Sequence, residues 1–130
     1  MFELDQIKNA HSKVKSGADF PQYVQDLIKL GVRKYSTYVK DGHTVYLGDN
    51  DYERRSDPKY AAMKVADDSN AEQFKHSLSI HQQGQTDYMT FCSQSAEAGV
   101  EKWTVDMDGM TCTYYDKAGN KMLEENILTP

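Results

Sequence analysis

Gly31-Val32-Arg33-Lys34-Tyr35-Ser36 returns as Gly99-Val100-Glu101-Lys102-Trp103-Thr104, 68 residues further on. Asp41-Gly42-His43-Thr44 then returns as Asp108-Gly109-Met110-Thr111, with one residue lost between the two blocks. Upstream, Gly17-Ala18-Asp19-Phe20 matches Gly84, Asp87 and Tyr88 across one insertion, and Asp5-Gln6-Ile7-Lys8 matches Glu72-Gln73-Phe74-Lys75. An ordered series of this kind points to a unit used twice. The period is too long for a solenoid. We therefore expect one pseudo-symmetric domain over residues 1–130, with repeats at about 4–55 and 71–127 and a connector at 56–70.

Local patterns fill in the unit. Leu4, Ile7, Ala10 and Val14 recur at helical spacing, and Ser16-Gly17 ends that segment. Asp19 and Pro21 open a second helix, which carries Tyr23, Val24, Leu27, Ile28 and Leu30 on one stripe and closes at Gly31. Val32 to Lys40 is rich in strand formers, Asp41-Gly42 is a hairpin signal, and His43 to Leu47 returns. A polar strand lies around Tyr52 to Arg55. The second half repeats this order. Asn70 caps a helix with Phe74, Leu78 and His81 on one face, and Asp87 caps another that ends at Gly99. Strands follow at Val100 to Met107, Met110 to Tyr115 and Met122 to Ile127, and Tyr60 to Val65 in the connector is an extra strand candidate. Helix runs followed by strand runs give an α+β fold of two ααβββ units, with helices on one face of a mainly antiparallel sheet. Trp103, Tyr35, Phe74, Phe91, Leu27 and Ile28 are its expected core.

Composition narrows the function classes. With 15 Lys and Arg against 20 Asp and Glu, the chain carries five excess negative charges, which disfavours phosphate-driven nucleic-acid binding. No stretch approaches the roughly 20 apolar residues of a membrane span. Met1-Phe2-Glu3-Leu4-Asp5 becomes charged at once, unlike a secretory signal, so a cytoplasmic location is expected. Cys92 and Cys112 lack metal or redox spacing and are expected to stay reduced and buried. Cys92 matches Val24, and Cys112 is matched to Val45.

Two places can bind. Strand alternation puts Tyr35, Thr37 and Val39, with Trp103, Val105 and Met107, against the helices. The opposite face then carries Lys34, Ser36, Tyr38 and Lys40, with Lys102, Thr104, Asp106 and Asp108. The return strands are expected to add Thr44 and Tyr46, then Thr111, Thr113 and Tyr115. An open face with Tyr38, Tyr46, Lys102 and Thr113 suits a non-enzymatic interaction or regulatory module, with a homodimer as the simplest closed assembly. A solvated sheet face with ordinary cross-strand pairs is the competing account. The second place is Ile80-His81-Gln82-Gln83-Gly84-Gln85-Thr86-Asp87, dense in donors and acceptors, where His81, Gln82, Gln85 and Asp87 are candidates for a small-molecule or enzyme site. Helix ending at Gly84 and recapping at Thr86 or Asp87 explains half of that segment without function. The catalytic alternative requires His81 to line a concavity with a carboxylate or thiol in hydrogen-bond reach. His76 and His81 stand five apart, not the three or four of a helical ligand pair, and neither a metal nor a cofactor is expected. No nucleophile elbow, P-loop or HExxH is present.

The segments Ile80 to Asp87, Gly99-Val100-Glu101-Lys102-Trp103-Thr104-Val105-Asp106 and Met110-Thr111-Cys112-Thr113-Tyr114-Tyr115-Asp116 resemble the YbcV-like family. These are small enterobacterial and phage-associated proteins often labelled "phage envelope protein". Gly31-Val32 through Tyr46 fits the same family. The resemblance implies a prophage context and supplies no site residues to carry over.

Overall fold

The computed structural model describes residues 2–14 and 19–127. Helices α1 (Leu4–His11) and α2 (Phe20–Leu30) precede strands β1 (Lys34–Tyr38), β2 (Thr44–Leu47) and β3 (Glu53–Arg55). Helices α3 (Ala71–Gln82) and α4 (Tyr88–Glu97) then precede β4 (Val100–Asp106), β5 (Thr111–Asp116) and β6 (Lys121–Asn126). The fold is α+β, and the order ααβββ runs twice. The end of α1 expected at Ser16-Gly17 lies outside the described residues; the helix closes at Ser12, with the Glu3 and Gln6 side chains forming a capping box.

All six strands form one antiparallel sheet in the order β3-β2-β1-β4-β5-β6. That order reads the same from both edges, and β1 and β4 meet at its centre. There Ser36 lies opposite Thr104, its own counterpart 68 residues on, and their hydroxyls are 2.8 Å apart. The same offset relates the flanking hairpins, since Thr37 faces Thr44 and Val105 faces Cys112. Gly42 therefore corresponds to Met110, and both adopt left-handed backbone, φ 76° and 53°. The lost residue suggested by matching the two Asp-Gly pairs is not there. Cys112 corresponds to Thr44 rather than Val45.

Register also decides which side chains meet the helices. The β1–β2 pairing puts Thr44 and Tyr46 beside Thr37 and Tyr35, so both point to the helix layer and not to the open face. Tyr46 is 6% exposed and packs on Tyr35 at 5.6 Å between ring centroids. The core between the layers is built from Tyr23, Val24 and Leu27 of α2, Phe74 and Leu78 of α3, Phe91 and Cys92 of α4, and inward strand residues such as Val105 and Tyr114. Each large aliphatic or Phe-sized side chain fully buried here contributes roughly 1.5–3 kcal/mol. Two members of the expected core differ. Ile28 sits at the rim of the α2 stripe and is 36% exposed. Trp103 is half-buried, its ring set against Phe91 and Tyr114.

The connector forms no strand at Tyr60 to Val65. It acts as a brace instead: Met63 N–H donates to the Lys40 carbonyl at 2.7 Å, and Ala66 N–H to that of Ala96 at 2.9 Å. The Tyr60 hydroxyl donates to the Val39 carbonyl. These bonds tie the end of β1 to the end of α4.

Candidate functional site

The sheet face turned away from the helices carries its side chains in three cross-strand rows. At one end the residue before β2, then β1, β4, β5 and β6, contribute His43, Tyr38, Lys102, Tyr115 and Lys121 in that order. Rings and cations alternate along this row. His43 and Tyr38 stack at 4.5 Å with 3° between planes, and the Lys102 ammonium lies 5.7 Å from the Tyr38 ring centre and 5.6 Å from that of Tyr115. Such placement favours a cation electrostatically. The middle row is Arg55, Val45, Ser36, Thr104, Thr113 and Glu124. The last is Glu53, Leu47, Lys34, Asp106, Thr111 and Asn126. Tyr38, Val45, Leu47, Lys102, Thr104 and Tyr115 are half-buried.

Of the residues expected on this face, Tyr38 and Lys102 are adjacent on it. Thr113 is one row away but only 5% exposed, its hydroxyl donating to Glu124 at 2.9 Å. Tyr46 is on the other face.

The helix-end segment is arranged differently. His81 stacks on Phe91 at 4.4 Å, and its Nδ1 lies 3.1 Å from the Thr86 carbonyl and 3.3 Å from the Thr86 hydroxyl. Asp87 accepts from Thr90 N–H at 2.7 Å as the cap of α4, and these Thr90 bonds hold its carboxyl below the usual value. Gln82 donates to Glu125 at 3.2 Å, and Gln85 to Gln83 at 3.1 Å. Asp87 thus caps α4, His81 ties the end of α3 to Thr86, Gln82 ties it to β6, and Gln85 bonds within the turn. Catalysis at His81 requires a carboxylate or thiol hydrogen-bonded to its ring, and among the described residues its ring nitrogen bonds Thr86 instead.

The required hydrogen bond to a carboxylate occurs at His43. Its Nδ1 is 2.6 Å from Asp41 Oδ1, which also accepts the His43 N–H at 3.0 Å. The side chains are only 13% and 16% exposed. Burial works against the Asp41 charge, but the His43 backbone and ring bonds outweigh it and bring the carboxyl below its ordinary value. Asp41 fixes the ring so that Nδ1 carries the proton when the imidazole is neutral and Nε2 is left as acceptor. The pair lines a concavity of about 370 Å³ together with Lys40, Arg55, Ser56, Asp57 and Pro58. Sequence reasoning read Asp41 and His43 only as parts of a hairpin and did not single them out as a site. The available signal was Asp-x-His inside a tight turn, where the chain reversal brings both side chains together.

Among the described residues no helix is long and apolar enough to cross a membrane, and no group of three or more His, Cys, Asp or Glu is arranged to hold a metal ion. No curated protein matches the chain. A family model does match, from residue 8 to residue 126, and on that extent the chain belongs to the family described as "Protein of unknown function (DUF1398)".

Proposed function

We propose that this protein is a non-enzymatic interaction or regulatory module that works through the helix-free face of its sheet. The observation that carries the reading is the row His43, Tyr38, Lys102, Tyr115. Its rings and cation are ordered against one another yet remain only half covered by their own chain. Aromatic groups with a polar tip, Tyr among them, are the residue types that anchor protein contacts. The YbcV-like resemblance adds a bacterial, prophage-associated cytoplasm as the proposed setting. Thr104→Arg places a long charged side chain at the centre of the face. Capture from bacterial lysate with wild-type and Thr104→Arg baits tests the reading: specific partners should be retained by the first and lost from the second. Identical partner sets would contradict it.

A second reading, a small-molecule binder or enzyme, moves from the His81–Asp87 segment to the Asp41–His43 concavity, where a tautomer-fixed imidazole is the favouring observation. It predicts that a ligand shifts the His43 ring resonances, and that His43→Gln abolishes its binding while leaving the fold intact.

A further inference from the structure

Resting on the interaction-module reading, we propose that the occupant of the helix-free face is a second copy of this chain, packed face to face about a two-fold axis parallel to β1 and β4. The palindromic strand order makes this geometry specific. An axis in that direction lays β1 of one copy over β4 of the other, β2 over β5, and β3 over β6, while each cross-strand row stays at its own level.

The charges then match. Lys34 meets Asp106 of the second copy, Arg55 meets Glu124, and Tyr38 meets the Lys102 ammonium, with every contact made twice. Ser36 meets Thr104, and Val45 meets Thr113, so the centre holds short side chains that let the sheets approach to about 10 Å. Glu53 falls over the neutral Asn126. No like charges oppose one another. The other in-plane axis, perpendicular to the strands, sets Arg55 on Arg55 and Glu124 on Glu124, and is rejected on that ground. Arg55 and Glu124 are long enough to span the divergence that an aligned packing angle of about 30° creates toward the edges.

Size fits a modest dimer. Six strands about 4.8 Å apart, presenting on average about 17 Å of length, give a projected area of about 500 Å² per copy. Some 1,000 Å² in total is the low end of specific interfaces, so a concentration-dependent dimer is expected rather than an obligate one.

Arg55 and Glu124 provide the test, because they stand at opposite edges of the same sheet, about 24 Å apart across five strand spacings. They cannot compensate each other within one chain. Sedimentation equilibrium over a concentration series up to the millimolar range should show a monomer–dimer equilibrium for the wild type. Arg55→Glu alone and Glu124→Arg alone should each weaken it roughly tenfold or more. Mixed in equal amounts, the two variants should recover wild-type association, because each reversed charge finds its complement. Circular dichroism of each variant confirms that the fold is retained. A wild type that stays monomeric throughout, or a dimer indifferent to both reversals, overturns the second-copy assignment. The face itself is judged separately by the Thr104→Arg capture, so loss of the dimer with retention of a face-dependent partner would leave the broader reading standing.

Discussion

Gly31 and Gly99 follow α2 and α4 with φ of 102° and 87°, and their surroundings separate them. A Cβ on Gly31 would meet only Phe2, at 3.9 Å, whereas one on Gly99 would meet the Asp68 carbonyl oxygen and the Ser69 Cα at 2.7 Å. Gly31→Ala therefore carries the left-handed penalty alone, about 1–2 kcal/mol. Gly99→Ala adds a collision with connector backbone, and chemical denaturation should show it as the clearly larger loss. The cysteines are the second residue-level case. Both are free and buried, and burial raises each thiol, Cys112 to about 11. Thiol reagents should react slowly with the native protein and quickly once it unfolds; one fast native thiol would contradict this. Cys92 was legible in sequence because it replaces Val24 on a helix stripe. The counterpart of Cys112 was not, because the Asp-Gly match misaligns the turn by one residue, and only backbone pairing shows that Met110 takes the left-handed place of Gly42.

At the scale of elements, helix caps and hairpins read well because their signals are local. Asn70 accepts from Gln73 N–H at 3.0 Å, as an N-cap should. Asn70→Ala is expected to cost about 1 kcal/mol in denaturant unfolding, with the effect confined to α3 in hydrogen exchange. Face assignment across a turn was less legible. Where an even number of residues separates two paired positions, as between Thr37 and Thr44, an odd position on one strand pairs with an even position on the next. Tyr46 therefore shares the face of Tyr35 and Thr37, and expecting it beside Tyr38 overlooks that parity. The connector escaped for a different reason. Its apolar residues look like a strand, but its N–H groups go to single carbonyls at the ends of β1 and α4, a tertiary pattern with no sequence period.

For the whole molecule, the tyrosine-rich core sets the response to pH. Burial raises the hydroxyls of Tyr23, Tyr35, Tyr46 and Tyr114 above 10.0, and the Cys112 thiol above 9.0. The folded state keeps protons that the unfolded chain gives up in that range. Their stabilisation is therefore complete below pH 9 and is lost as pH rises above about 9 to 10. The part of the tyrosinate absorbance that comes from these four buried residues should rise in one cooperative step together with loss of helix. Asp41, Asp87 and Asp116 act in the opposite sense: their carboxyls lie below 3.8, so what they contribute is present above that pH and lost as pH falls through their folded values. The same architecture leaves one sheet face without helices, and that face is the proposed contact surface. Amide chemical shifts followed by NMR through a dilution series test it most directly. We predict concentration-dependent shifts concentrated at Ser36, Tyr38, Val45, Thr104 and Thr113, with the exposed sides of α2 and α4 unchanged; shifts confined to the helix layer would contradict it.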